Sequence, residues 1–427
     1  MKHKVSEVTL PSGAAGLLIH VPDASVMNFE FNFRAGEYLV DRDKWETPHL
    51  MEHLMMGANE SHRKARTFQE EFEKNGAYCN ASTGAYDITY EAECADFEWD
   101  RILDLIGTAM SRPLFLEEEF KAEYGNVREE LMARSNGHFR HLSLALREAF
   151  GFYAMTDHER LRLIENVNLP DIKAHYKSTH TLQNLRFVIA GKITPKRRKF
   201  IKQYLENLEL APGDTRLELP HEVPRTLTKP LVIKNKTVEN LYFYIDTFMN
   251  RRMRDPEQDA LSLINMMFTE TLYSRILGNA RERGLAYHVS SGYGQTRDSS
   301  NWWIGAQIMP QNAEALYDII ARELRKVFRG DLHDDDVTAA KQYALGRYQR
   351  SGQTVAGIAG SYSGRYFFDG EIEDFYSVPD RIRAVSKNRI VAITEAMFAD
   401  NVWGMGLLGN ASERTAADLH KKVGKLF

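Results

Sequence analysis

Several features that would define a class of protein are scarce or missing in this sequence of 427 residues. Only 2 residues are cysteine, which excludes a fold built on several disulfide bonds. The sequence has no run of about 18 apolar residues, so we expect neither a membrane-spanning helix nor a membrane partner. The net charge is −4, from 55 basic and 59 acidic residues, and this balance argues against a nucleic-acid partner.

The remaining composition is typical of a globular protein, with 43% hydrophobic and 27% charged residues. The first residues, Met1-Lys2-His3-Lys4, lack the apolar centre of a signal peptide. We therefore expect a cytoplasmic protein with an ordinary hydrophobic core.

The chain divides into two halves with similar patterns. Residues 211–225 are rich in proline and carry no apolar period, which predicts a linker between domain 1–212 and domain 224–427. Two matching sets of alternating apolar residues predict one strand in each half: Phe29, Phe31 and Phe33, then Leu241, Phe243 and Ile245. The first of these strands is expected to have one wet face, that is, one face exposed to solvent. The predicted fold class is α+β, with two similar domains, each an antiparallel-rich sheet packed with helices on one side.

The segment His49-x-x-Glu52-His53 carries the sharpest chemical signal. Thr47-Pro48 predicts the start of a helix, with threonine as the N-cap and proline as the first helical residue. Residues at i, i+3 and i+4 share a helix face, so both imidazoles can bind one Zn²⁺ with the carboxylate beside it. The alternative is a surface helix with solvated side chains.

A third protein ligand is expected on a later helix, where Glu129 and Glu130 are both candidates. The apolar stripe of that helix is formed by Phe120, Tyr124, Val127 and Leu131. At about 100° per residue, Glu129 points away from the stripe, whereas Glu130 flanks it on the same side as Glu123. We therefore predict that Glu130 binds the metal and that Glu123 orients or polarises the site from behind the ligands. A salt-bridging surface residue is the alternative for Glu123.

This set of residues resembles the pitrilysin/insulinase family of zinc metallopeptidases. His49-x-x-Glu52-His53 is followed 77 residues after His53 by Glu130, with Glu123 two turns before Glu130. The resemblance implies one Zn²⁺ per chain, bound by His49, His53 and Glu130, with Glu52 as the catalytic base. One departure is Glu46, which stands where the family often has glycine.

Two further segments resemble motifs of the same family. Asn80, Ala81, Ser82 and Thr83 match a strand that binds the substrate backbone. Tyr287, in the second half, matches a tyrosine that works with an arginine on the substrate carbonyl. Arg281 lies one position from the usual place of that arginine, and Arg283 is a second candidate.

The resemblance implies a zinc metalloendopeptidase that hydrolyses peptides or unfolded polypeptides. Two repeats in a chain of this length resemble the short-subunit branch, whose chains pair around a closed chamber. A homodimer is expected, and a heterodimer with a related chain is the alternative. The rival functions are a non-catalytic subunit of the same fold and a dedicated processing subunit that works with a different partner chain.

Overall fold

The computed structural model describes residues 1–398 and 402–426. The strands in these residues are β1 (Lys4–Thr9), β2 (Ala15–His20), β3 (Val26–Phe33), β4 (Tyr78–Thr83), β5 (Ile88–Ala95), β6 (Arg186–Gly191), β7 (Leu231–Lys234), β8 (Leu241–Met249), β9 (Val289–Gln295), β10 (Ser300–Ile308) and β11 (Val402–Gly409).

The helices of the first half are α1 (Thr47–Met55), α2 (Ala65–Glu73), α3 (Trp99–Ser111), α4 (Glu117–Ser135), α5 (His138–Phe150), α6 (Asp157–Leu163), α7 (Leu169–Thr179) and α8 (Pro195–Glu206). Those of the second half are α9 (Asp255–Asn265), α10 (Leu277–Glu282), α11 (Ala313–Phe328), α12 (Asp334–Ser351), α13 (Val355–Asp369), α14 (Val378–Ala384), α15 (Lys387–Phe398) and α16 (Glu413–Val423). None of the helices in the described residues is long and apolar enough to cross a membrane.

The chain forms two compact units that exchange segments of sequence. The first comprises residues 1–132, 158–220 and 349–375, and the second comprises residues 133–157, 221–348 and 376–427. The first unit thus includes α13 from the second half, and the second unit includes α5 from the first half. The predicted boundaries of the two domains, 1–212 and 224–427, stay a prediction.

The first unit is built on a sheet of six strands among the described residues, in the order β1-β2-β6-β3-β5-β4. Only β2 and β6 run parallel among the pairs described; the others are antiparallel. Phe29, Phe31 and Phe33 are fully buried on one face, together with residues of α1 and α3. This face holds the main core of the unit.

The opposite face of the same sheet is covered by α13. Leu17 and Ile19 of β2 pack there against Ile358 and Tyr362. The expectation that β3 has one wet face is therefore wrong, since Asn32 on that face is only 4% exposed. The reason is that a helix from far along the chain shields it from water.

The second unit contains a five-stranded sheet among the described residues, in the order β7-β11-β8-β10-β9. Its core face packs against α9, α11 and α15, and its other face is covered by α5. A Cβ added at Gly305 would lie 2.7 Å from the Phe139 ring, and one at Gly406 would lie 2.8 Å from Leu142. Glycine at these two positions allows α5 to lie close to the sheet.

Asp246 is a buried carboxyl group on the face of β8 that α5 covers. It is 2% exposed and shares this face with Tyr244 and Phe248, both of which contact α5. The Asn301 amide donates a hydrogen bond of 2.9 Å to the carboxyl group. Burial raises the pKa of Asp246 to about 7, and the Asn301 hydrogen bond and the Arg147 charge oppose it only in part.

We expect Asp246 to make the folded state less stable as the pH rises from about 4 to about 7. In that window the folded protein keeps a proton that the unfolded carboxyl group, with a pKa of about 3.9, has lost. Asp246→Asn should therefore gain stability relative to the wild type as the pH rises, which urea unfolding from pH 4 to pH 8 measures. Asp335→Asn, at an exposed position, is the control. The expectation would be contradicted if the free energies of unfolding of the wild type and Asp246→Asn differed by the same amount at every pH.

Candidate metal centre

Helix α1 positions three side chains of the motif because it is part of the core. Leu50, Met51, Leu54 and Met55 are buried in the main core cluster of the first unit. His49 is buried next to this core, and Glu52 and His53 are partly exposed. The helix therefore presents its polar side chains on one face and anchors the opposite face in apolar packing.

The start of α1 differs from the predicted one by one residue. Thr47 is the first helical residue rather than the N-cap, and Glu46 occupies the cap position without a capping hydrogen bond from its side chain. Pro48 is therefore the second helical residue rather than the first, although it still lies in the first turn. The Glu46 side chain is directed instead to His49 and Arg160.

The two imidazoles meet one carboxylate from α4. The Oε2 atom of Glu130 lies 3.2 Å from His49 Nε2 and 3.7 Å from His53 Nε2. The three candidate ligand atoms all lie within 4.8 Å of one another. Ligands bound tetrahedrally at about 2.0–2.1 Å from a zinc ion would be about 3.4 Å apart, so these side chains fit such an ion with little movement.

The structure brings Glu130, and not Glu129, to the two histidines. Val127 and Leu131 of α4 are buried, Glu130 is half-buried, and Glu129 is exposed. This agrees with the helix phase that favours Glu130. Its role as a ligand stays a prediction, because geometry alone identifies a possible ligand set.

Glu123 contacts the far side of the second histidine. Its Oε2 atom lies 2.8 Å from His53 Nδ1, which leaves His53 Nε2 facing Glu130. Burial lowers the pKa of His53, but the hydrogen bonds to Glu123 and Glu130 outweigh it and raise the pKa to about 9. The same hydrogen bond to His53 lowers the pKa of Glu123. The contact corresponds to the orienting position predicted for Glu123.

The carboxylate of Glu52 is held by the predicted substrate strand. The Thr83 hydroxyl donates a hydrogen bond of 2.8 Å to Glu52 Oε2. Thr83 ends β4, which is the outermost strand of the sheet in the described residues. Asn80 and Ser82 are exposed along β4 and Ala81 is buried, so an extended chain could pair with this edge beside Glu52.

Sequence reasoning missed a buried ion pair behind the first histidine. Glu46 Oε2 lies 3.0 Å from His49 Nδ1, and Arg160 of α6 donates to both Glu46 oxygens. Burial alone would raise the pKa of Glu46, but Arg160 and His49 lower it to about 2. The spacing of Glu46 and His49, three residues apart at a helix start, was the available signal.

Arg281 and Tyr287 lie together in the second unit. The Arg281 guanidinium donates to the Tyr287 carbonyl at 2.9 Å and lies 4.4 Å from the centre of its ring. Tyr287 is 83% exposed, and both residues line a cavity of about 740 Å³. The structure thus pairs the tyrosine with Arg281, while the Arg283 side chain is exposed. The catalytic roles of Tyr287 and Arg281 stay predictions.

Comparison with known sequences identifies related proteins for both halves. Residues 42–154 match the family model described as "Insulinase (Peptidase family M16)", and residues 166–343 match "Peptidase M16 inactive domain". The "Uncharacterized zinc protease YmxG" of Bacillus subtilis is 20% identical over 379 residues, which cover 86% of this chain and 90% of that protein. An "Uncharacterized zinc protease" of Rickettsia felis is 24% identical over 131 residues, or 31% of this chain and 32% of that protein.

Solved structures have the same fold at low sequence identity. A protease from Helicobacter pylori superposes with a TM-score of 0.81 at 18% identity, covering 95% of this chain and all of that chain. A peptidase M16 inactive domain from Pseudomonas fluorescens gives a TM-score of 0.80 at 14% identity, covering 96% and 98%. The predicted α+β class with two sheets packed by helices is confirmed, but each sheet carries helices on both faces rather than on one side.

The two family models match separate stretches of the chain and together cover more than half of it. The first of them contains the whole His49-x-x-Glu52-His53 motif and Glu130. The resemblance seen in the sequence is therefore confirmed: the chain belongs to the pitrilysin/insulinase family, peptidase family M16.

Proposed function

We propose that this protein is a zinc-dependent peptidase that hydrolyses peptides or unfolded polypeptides. The observation that carries the proposal is the convergence of His49, His53 and Glu130 with Glu52 beside them. Two imidazoles and one carboxylate leave a fourth position of a zinc ion open, as catalytic zinc sites require. The zinc protease names of the two relatives support the same ion.

The chain's own residues divide the chemistry between them. A zinc ion held by His49, His53 and Glu130 would lower the pKa of a water molecule and polarise the substrate carbonyl. Glu52 accepts the proton of the attacking water and returns it to the leaving amine. Thr83 donates to Glu52 Oε2 and so leaves the other carboxylate oxygen for the water.

Strand β4 is the proposed binding edge for substrate. An extended peptide added along Asn80–Thr83 would be held through its backbone, since strand addition uses main-chain hydrogen bonds. Backbone contacts depend on extension more than on side chains, so we expect broad specificity. Folded proteins cannot offer such a free strand, which favours unfolded polypeptides as substrates.

We propose that two chains pair and that each supplies part of the other's site. Tyr287 and Arg281 are exposed in the second unit, where their donors can meet a substrate carbonyl as negative charge develops on it. A closed chamber of two such chains would exclude large folded proteins. A homodimer is the simplest form of this assembly, and a heterodimer with a related chain is the alternative.

The second candidate function is a non-catalytic subunit of the same fold. It is favoured by the inactive-domain model matched by residues 166–343 and by the Pseudomonas fluorescens structure of that name. Most of those residues lie in the predicted domain 224–427, which lacks the zinc motif, whereas the motif is complete in the first half. The peptidase proposal therefore explains both halves of the chain, and absence of zinc after purification without chelators would favour the rival.

Glu52→Gln tests the proton acceptor. The amide keeps the size of the side chain and can still accept the Thr83 hydrogen bond, but it cannot take a proton from water. Turnover of a mixed peptide library should fall at least about 10²-fold while zinc stays bound. Near wild-type turnover by a zinc-loaded Glu52→Gln protein would remove Glu52 from the mechanism.

Glu130→Gln and Glu129→Gln form a matched pair on adjacent positions of α4. Zinc affinity, measured by competition with a chelator, should fall severely for Glu130→Gln because a charged ligand is lost. It should change little for the exposed Glu129→Gln. Equal loss in both variants, or loss only for Glu129→Gln, would reverse the ligand assignment.

Complementation tests whether the sites are composite. Glu52→Gln chains are mixed with Tyr287→Phe chains under conditions of proven subunit exchange. One site of each mixed dimer then regains both intact groups, so peptidase activity should rise above that of either variant alone. An unchanged activity, or a fully active monomer, would mean that each chain builds its site alone.

A further inference from the structure

Glu46 contacts the side of His49 that faces away from the other ligands. Its side chain is buried, with 1% exposure, and its Oε2 atom lies 3.0 Å from His49 Nδ1. The Nε2 atom of the same ring lies 3.2 Å from Glu130 Oε2. An ionised carboxylate can only accept a hydrogen bond, so Nδ1 carries a proton, and Nε2, which faces Glu130, is the nitrogen available to a metal.

Arg160 fixes the carboxylate that contacts this ring. Its Nε and Nη2 atoms donate to the two oxygens of Glu46, with 3.0 Å between Nη2 and Oε2. Arg160 itself is 4% exposed, and Glu37 Oε1 lies 2.8 Å from Nη2. A planar guanidinium that binds both oxygens prevents the carboxylate from rotating away.

We infer that Glu46, clamped by Arg160, is a positioning residue that sets the orientation and tautomer of His49 for metal binding. The inference rests on the metal-binding part of the proposed function. It goes beyond that function because it adds a support that the family resemblance does not imply, since glycine is frequent at the position of Glu46.

A purely structural role explains this arrangement poorly. A buried ion pair contributes little net stability, because the cost of removing both charges from water offsets most of their attraction. An apolar pair would fill the same space at no such cost. An apolar pair could not accept the hydrogen bond from His49 Nδ1, and such supports tune metal affinity about 10–100-fold.

The experiment measures the zinc dissociation constant of the full-length protein by chelator competition, with the thermal midpoint of the metal-free protein as the test of folding. Glu46→Gln should weaken zinc binding about 10–100-fold. Arg160→Lys keeps the positive charge but loses the paired donors of the guanidinium, and it should weaken zinc binding by a smaller factor. The visible absorption of the cobalt-substituted protein should change in both variants, because it reports the ligand geometry.

Glu98→Gln is the matched control. Glu98 is also a buried carboxylate, 4% exposed and paired with an arginine, Arg101, of the same unit. Its loss should lower the thermal midpoint and leave the zinc dissociation constant within about threefold of the wild type.

The outcomes separate the two proposals. A wild-type protein that binds no zinc defeats the proposed function itself. A wild type that binds zinc, with an unchanged constant in Glu46→Gln, overturns the positioning role even if the thermal midpoint falls. An unchanged zinc dissociation constant in Arg160→Lys would mean that zinc binding does not depend on Arg160 fixing the Glu46 carboxylate. If Glu46→Gln does not fold, Glu46→Asp takes its place, because it keeps the charge but withdraws the oxygen from Nδ1, and an unchanged constant there also overturns the inference.

Discussion

Everything at the candidate site depends on the packing of α1 inside the first unit. Seven of its nine residues are buried, so its rotation about its own axis is fixed on every side but one. A rotation by one residue, about 100°, would drive the charged Glu52 into the core and turn a buried leucine or methionine toward water. The apolar side chains of α1 therefore decide where the two imidazoles point, and α4 and β4 need only supply two carboxylates and one hydroxyl.

The electrostatic state of the site follows from crowding four carboxylates around two imidazoles. Glu46, Glu123 and Glu130 each contact a histidine, and Glu52 stands between the two histidines in the sequence and acts on His53 through its charge. A carboxylate favours the protonated, cationic form of a neighbouring imidazole, which is why the pKa of both histidines is raised despite burial. A cation of any kind is therefore attracted to this point, and a divalent ion competes there with protons.

The parts of the fold and site that could be predicted are those encoded within a few helical turns. The motif spacing, the preference for Glu130 over Glu129 and the strand pattern of Phe29 to Phe33 all follow from local periodicity. The contacts that could not be predicted join residues far apart in the sequence. Glu46 and Arg160 are 114 positions apart, and no periodic pattern relates them. The prediction of a wet face on β3 was wrong for the same reason, because the helix that covers this face comes from the other half of the chain.

The exchange of helices between the two units bears on how the chain folds during synthesis. The strands of the first sheet are complete once β6 has been made, at Gly191, but α13 begins only at Val355. Roughly 160 further residues must be translated first, which takes roughly 10–30 s at about 5–20 residues per second. Through that interval the sheet face formed by Leu17, Ile19, Val188 and Ala190 has no cover from its own chain. The nascent protein thus carries an apolar surface open to chaperones or to misassembly until its second half is largely translated.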